Sequence, residues 1–190
     1  MESLLESKKF MKFLLVTAIG LFVLIIIVAI IFANFLLAKY DSKSINQQAL
    51  GRMKIIGQAS LIYAADADDH LPLANSWMDA ITPFTPTNSH PFHSVALQQT
   101  TNVKTLYGEA FLAILSSSEL TAIDPKEQPM VFDSTLLQRN AFGTLSTLPN
   151  PGRYEVNGKK SNLITYADGH VGWIDNQSSL KPFPAIKGRP

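Results

Sequence analysis

The chain has 190 residues, 16 of them basic and 15 acidic, so its charges nearly cancel. That balance removes the electrostatic case for a nucleic-acid binder, which needs a basic stripe to displace counterions. Cysteine is absent, which excludes a disulfide scaffold, a thiol nucleophile and any thiolate-held zinc or iron–sulfur centre.

The first element is a long apolar helix. From Phe13 to Ala38 the sequence carries no charge, and only Thr17, Gly20 and Asn34 interrupt the run. As a helix it extends about 39 Å, more than the roughly 30 Å of a bilayer core. A chain of this size has too little mass to bury such a helix, so a transmembrane span is predicted. A cleaved signal peptide fits less well, because its apolar stretch is shorter and ends at small residues. Here Phe35-Leu36-Leu37-Ala38 runs straight into Lys39. Lys8, Lys9 and Lys12 precede the span, against Lys39 and Lys43 close behind it. The slight basic excess in front places the N-terminus in the cytoplasm. The expected arrangement is a cytoplasmic leader over 1–12, a membrane helix over 13–38, an exported domain over 39–180 and a proline-rich tail over 181–190. In a double-membraned bacterium this is a single-pass inner-membrane protein with a periplasmic domain.

Beyond Lys39 the pattern becomes amphipathic. Ile45, Ala49, Met53, Ile56, Ser60 and Tyr63 recur every three or four residues, with Asn46, Gln47, Gln48, Arg52, Lys54 and Gln58 on other faces. That spacing predicts one buried helical stripe, continuing from the span or restarting at Asp41-Ser42. The helix is expected to end at 66–69, ahead of Pro72. A short helix follows, with Ser76 and Asp79 in the spacing of a capping box. Thr85 to His93 reads as a surface loop, Val103–Tyr107 as extended, and Ser116–Glu119 as the cap of another short helix. Met130–Asp133 is a short buried strand, and Ala141 to Gly158 is irregular.

Near the C-terminus, Asp168-Gly169 signals a two-residue hairpin turn, since a type I′ turn needs positive φ at both central positions. Folding on that turn pairs Tyr166 with Val171 and Ile164 with Trp173. Ile164, Tyr166, Val171 and Trp173 then share an apolar face, while Thr165, Ala167, His170 and Gly172 share the other. The Ile45–Tyr63 stripe is the expected cover for the apolar face.

Together these elements predict an α+β fold: a long N-terminal transmembrane helix continuing into an amphipathic helix packed on a small antiparallel sheet. This plan resembles type IV pilins and pseudopilins. "MKIIGQASLIYAADADDHLPL", "SWMDAITPF", "IDPKEQPMVFDS" and "NLITYADGHVGWI" are similar, in order, to segments of the prepilin-like H-x9-DG family. The chain departs from that family twice. Gly158 stands where the signature His would fall, and no Gly-Phe-Thr-Glu processing site opens the apolar run. In pilins, the resemblance implies, a peptidase removes the charged leader and frees the helix for a filament. Here Lys8, Lys9 and Lys12 are expected to stay attached.

Candidate chemistry is sparse. Asp66, Asp68 and Asp69 gather carboxylates at a helix end, offering part of a Ca²⁺ loop without its later Gly and Glu; the alternative is a solvated turn. His90 and His93, with His70 or His170, offer imidazoles to zinc but no third ligand fixed by spacing. No Gly-x-Ser-x-Gly elbow and no phosphate-binding glycine loop occurs. The expectation is a non-enzymatic structural or accessory subunit without cofactor, its partners being lipid and other membrane-protein subunits. Gly20 and Asn34 are the expected contact points within the bilayer. The alternatives are a minor pseudopilin of a secretion or pilus system, and a tethered calcium- or ligand-binding domain.

Overall fold

The computed structural model describes residues 2–87, 89–101, 107–120 and 123–175; within these, the side chains of 2–16, 18, 38–42, 99 and 100 are not described. By its contacts the chain divides into a first unit ending at Lys43 and a second beginning at Ser44.

A single helix, α1, covers Glu2–Asp66. In the first unit the segment Ile19–Leu37 has a mean hydropathy of 3.0 and none of it is buried. It is long and apolar enough to cross a membrane, and Gly20 and Asn34 lie exposed within it. Lys8, Lys9 and Lys12 fall in the helical stretch whose side chains are not described.

In the second unit the stripe behaves as its spacing predicts. Ala49, Met53, Ile56 and Ser60 are buried, and Ile45 and Tyr63 are partly so. Full burial of a Met or Ile side chain contributes about 1.5–3 kcal/mol, so this face accounts for most of the hold on the domain. The helix stops where Asp68 and Asp69 turn left-handed, with φ of 51° and 61°. The Asp69 N–H then reaches back to the Ala64 carbonyl at 2.8 Å, closing the helix end in the manner of a left-handed cap. The turn is pinned further, because Leu71 N–H donates to Ser118 O and Leu120 N–H to Asp69 O.

The sheet has six strands: β1 Glu109–Leu112, β2 Pro129–Asp133, β3 Phe142–Gly143, β4 Tyr154–Val156, β5 Lys159–Tyr166 and β6 Val171–Ile174. Its order is β3-β1-β2-β5-β4, with β6 also on β5. All pairs are antiparallel except β1–β3. The sheet is therefore mixed, not purely antiparallel as the sequence reading has it. Only the two-residue β3 runs parallel, too short to leave a pattern in sequence. Two short helices complete the unit, α2 Trp77–Ile81 and α3 Val95–Thr101.

The hairpin register differs from the prediction by one residue. Thr165 pairs with Val171, Ile164 with Gly172 and Leu163 with Trp173. Ile164 and Tyr166 therefore lie on one face while Val171 and Trp173 lie on the other. The reason is the turn. Asp168 is not among the residues with positive φ; Gly169 is, at 85°. Gly169 N–H donates to Tyr166 O, and Tyr166 N–H to His170 O. The loop is thus three residues, a turn followed by a left-handed glycine, and one added residue reverses which side chains share a face. Asp168 contributes through its carboxylate, which accepts the His170 N–H at 3.0 Å. The two-residue turn with both φ positive is elsewhere, at Asn157-Gly158 (51° and 77°), joining β4 to β5 inside the stretch read as irregular.

Helix α1 consequently lies over the Leu163–Thr165 side. Thr165 Oγ1 donates to Met53 O at 3.2 Å. A Cβ on Gly57 would stand 2.7 Å from Thr165 Cγ2 and 3.0 Å from Gly169 O, so only glycine lets the helix come this close. Ile164, on the opposite side, is also fully buried, and the β5 side chains read as a continuous buried run rather than an alternation.

Other predictions divide. The buried strand at Met130–Asp133 is present, extended by Pro129. The α2 helix forms, but its Ser76 makes no capping bond; Asn140 Oδ1 instead accepts the Met78 N–H at 2.8 Å and the Asp79 N–H at 3.3 Å. A strand lies at 109–112; of the extended segment expected at Val103–Tyr107 only Tyr107 is among the described residues, and it makes an isolated bridge to His93. Ser116 and Ser117 form a turn, Glu119 makes an isolated bridge to His70, and a 3-10 turn starts at Leu120, with 121 and 122 outside the described residues.

Candidate functional site

Two polar groupings stand out in the second unit. The first is buried between α1 and the sheet. Arg52, one helical turn from the apolar stripe, points at β1 and its Nη2 meets Glu109 Oε1 at 2.6 Å. Its Nε donates to Pro91 O at 3.0 Å. The Glu109 side chain is 1% exposed, and its second oxygen accepts the Gly108 N–H at 3.2 Å. Beside this pair, Arg153 donates through Nη1 to Gly108 O at 2.6 Å and faces Asp133 Oδ1 at 3.5 Å. Its Nη2 donates to Ser134 O. Asp133 Oδ2 accepts the Leu163 N–H at 2.6 Å, at the end of the β2–β5 ladder.

Two cations and two carboxylates thus meet under α1, joined through the backbone of Gly108. Burial pushes the Asp133 carboxyl up to about 7, opposed first by the Arg153 charge and then by the Leu163 N–H. Desolvation here outweighs the salt bridge because the Arg153 contact is long, at 3.5 Å. Burial, followed by the negative charges of Asp133 and Glu109, likewise drives the Tyr154 phenol upward. Both carboxylates are 1% exposed and the arginine side chains 13% and 9%, and the cluster clasps α1 to the sheet. Sequence reading missed it, although a signal exists: Glu109 and Asp133 each sit within an apolar run, "YGEAFL" and "MVFDS", where an ionised group needs a partner.

The second grouping is open. A pocket of about 140 Å³ lies between the 82–93 segment and Tyr107–Arg139. The rings of His90 and His93 stack in it at 5.5 Å, and Tyr107 meets His93 edge-on at 5.6 Å. Arg139 is held against Asp79 through Nε and Nη2, and its Nη1 reaches Tyr107 Oη at 3.4 Å. That pairing, with Asn140, holds the Asp79 carboxyl below its usual range. Burial, then the positive charges of His90 and Arg52, hold the His93 imidazole low; Glu109 pulls the other way and Arg139 adds to the depression.

The sequence-predicted metal candidates are not assembled. Asp66, Asp68 and Asp69 are exposed on the α1 cap, and the carbonyl of Asp68 is taken by the His70 ring at 2.8 Å. Among the described residues, no group of three or more His, Asp or Glu is placed to hold a metal ion. His90 and His93 do come together, but their near-parallel planes (17°) run their lone pairs side by side instead of converging on one ion. His170 stays at the hairpin, stacked on Tyr166 at 4.1 Å and bonded to Asp168.

Comparison with protein-family models, with curated proteins and with solved structures finds no match to this chain.

Proposed function

We propose that this chain is a non-enzymatic, single-span membrane protein whose pilin-like domain serves as a structural, accessory subunit of a larger membrane complex. The N-terminus lies in the cytoplasm, the span in the inner membrane and the domain in the periplasm. The observation that carries this reading is the division of labour within α1. From 19 to 37 its side chains are exposed and apolar; from Ala49 to Ala64 it supplies a core face. A helix with such an exposed stretch needs lipid or other helices around it, and Gly20 and Asn34 are the points where a neighbouring helix gains packing and a hydrogen bond.

Lys8, Lys9 and Lys12 distinguish a resident subunit from a filament-forming one. Moving one such charge through the bilayer centre costs at least about 2.5–3.5 kcal/mol. Three of them hold the helix in place while they remain attached. The test is extraction of the full chain in mild detergent, identification of the proteins that accompany it, and sequencing of its own N-terminus. Recovery in one large membrane complex with the lysines present supports the proposal. A mature chain beginning inside the apolar run, recovered from sheared extracellular fibres, overturns it in favour of a pseudopilin.

A further inference from the structure

We infer that the pocket beside His93 holds a small oxyanion of the carboxylate or phosphate class, clasped by Tyr107, Arg139 and the two stacked imidazoles. Several polar hydrogens around the pocket are already used. Thr82 Oγ1 donates to Met78 O at 2.6 Å, Thr85 Oγ1 to Thr82 O at 2.8 Å and Ser89 Oγ to Pro86 O at 2.8 Å. The hydroxyl rim has therefore spent its protons on backbone. The opposite wall has not. Tyr107 Oη accepts from Arg139 Nη1, so its own proton has no acceptor among the described residues. Arg139 commits Nε and Nη2 to Asp79, but Nη1 carries two N–H groups and makes one contact, long at 3.4 Å. His90 and His93 make no side-chain hydrogen bond among the described residues, and each neutral imidazole carries one N–H.

Unused donors therefore line both walls of the pocket, and a ligand rich in acceptors answers them. The volume of about 140 Å³ suits a group of a few heavy atoms such as acetate or phosphate. The rings of His90, His93 and Tyr107 flank it, and the pocket stays open on its outer side. Electrostatics set a modest affinity. The charges that reach His93 are those of His90, Arg52, Arg139 and Glu109. Arg52 is balanced by Glu109 and Arg139 by Asp79, so donor geometry, not net charge, does the selecting. A dissociation constant on the order of 1 mM follows for two or three charge-assisted bonds.

The proposal carries a second, independent readout. His93 is held low by burial, then by His90 and Arg52. An anion within hydrogen-bond reach reverses the sign of its local field, so the His93 titration midpoint rises on binding. Sodium acetate and inorganic phosphate are titrated separately into the full chain in nonionic detergent, at constant ionic strength, with histidine side chains followed by NMR. Saturable binding with a His93 midpoint that rises while that of His170 stays fixed is the expected result. Saturation by acetate alone assigns the carboxylate class, and by phosphate alone the phosphate class. Tyr107→Phe, which keeps the ring and removes one donor, weakens binding roughly tenfold; if thermal melting shows that this variant is unfolded, His90→Phe replaces it, with His93 still the reporter. Absence of saturation by either anion, equal shifts at His93 and His170, or unchanged affinity in a folded donor-deleted variant overturns the inference.

Discussion

Arg52→Met tests the clasp that joins α1 to the sheet. The substitution keeps most of the aliphatic stem and removes a guanidinium held 2.6 Å from a carboxylate that is 1% exposed. Among the described residues, the Glu109 carboxylate then keeps the Gly108 N–H as its one polar contact. An orphaned buried charge of this kind costs about 3–5 kcal/mol, a large share of the roughly 5–15 kcal/mol that stabilises an ordinary domain. Glu109→Gln should cost less, about 1–2 kcal/mol, because Arg52 retains Pro91 O and an amide acceptor. The double variant removes the stranded charge altogether and should recover at least about 2 kcal/mol relative to the sum of the single changes. The assay is urea unfolding of the full chain in nonionic detergent, read from Trp77 and Trp173 fluorescence. Trp77 is fully buried, so its emission reports loss of the core. Should Arg52→Met cost less than about 1 kcal/mol, or should the two losses simply add, the pair contributes no more than a surface salt bridge and the clasp argument fails.

Three further outcomes follow from the same core. Asp133, held near 7 when folded against about 3.9 unfolded, binds its proton more tightly in the native state. Its contribution is full below about pH 4 and is lost as pH rises through about 7, with a slope approaching 1.4 kcal/mol per pH unit; Asp133→Asn should flatten that slope in unfolding curves measured from pH 4 to 8. Gly57→Val should cost about 1–3 kcal/mol by driving α1 off Thr165 and Gly169, and Thr165→Ser, which removes the nearest methyl, should restore part of it in a thermal melt. Asn140→Ala should lose about 2 kcal/mol, because it deletes the acceptor for two α2 N–H groups and places alanine at a φ of 55°. Asn140→Gly, free of the backbone strain, should lose about half as much; equal losses from the two would show that φ carries no cost there.

The helical content and its buried stripe were legible because a period of 3.6 is written redundantly over twenty residues. Ala49, Met53, Ile56 and Ser60 agree with one another, and no single misreading moves the face. The hairpin was not so protected. Asp168-Gly169 and Asn157-Gly158 look alike as dipeptides, yet only the second adopts positive φ at both positions. The first is drawn into a longer loop because Ala167 N–H and Asp168 N–H donate to Gln128 O and Pro125 O, contacts across some forty residues that no local pattern records. The face-sorting that supported the wrong register was also weak. Residues 161–165 are all buried, so either phase of the alternation reads as apolar. The clasp and the pocket depend on partners from distant segments, and sequence exposed only the charges inside apolar runs.

That division between apolar and polar information bears on how the domain keeps its geometry. Apart from the close approach at Gly57, a stripe of Ala, Met and Ile does little to resist a slip of α1 by one turn, about 5.4 Å. The polar contacts do not tolerate it. Asn46 Nδ2 donates to Glu155 O at 2.7 Å, Arg52 grips Glu109, and the carbonyl of Met53 receives Thr165 Oγ1. These three bonds tie one helix to β4, β1 and β5. A one-turn slip breaks all three and separates two buried charges, at a cost of several kcal/mol. Apolar burial therefore supplies most of the attraction, while Arg52 and its neighbours select one register from several that are nearly equal in hydrophobic terms. Selection of this kind resides in the Arg52–Glu109 coupling energy, so the double-variant comparison measures it more directly than any change to the apolar stripe.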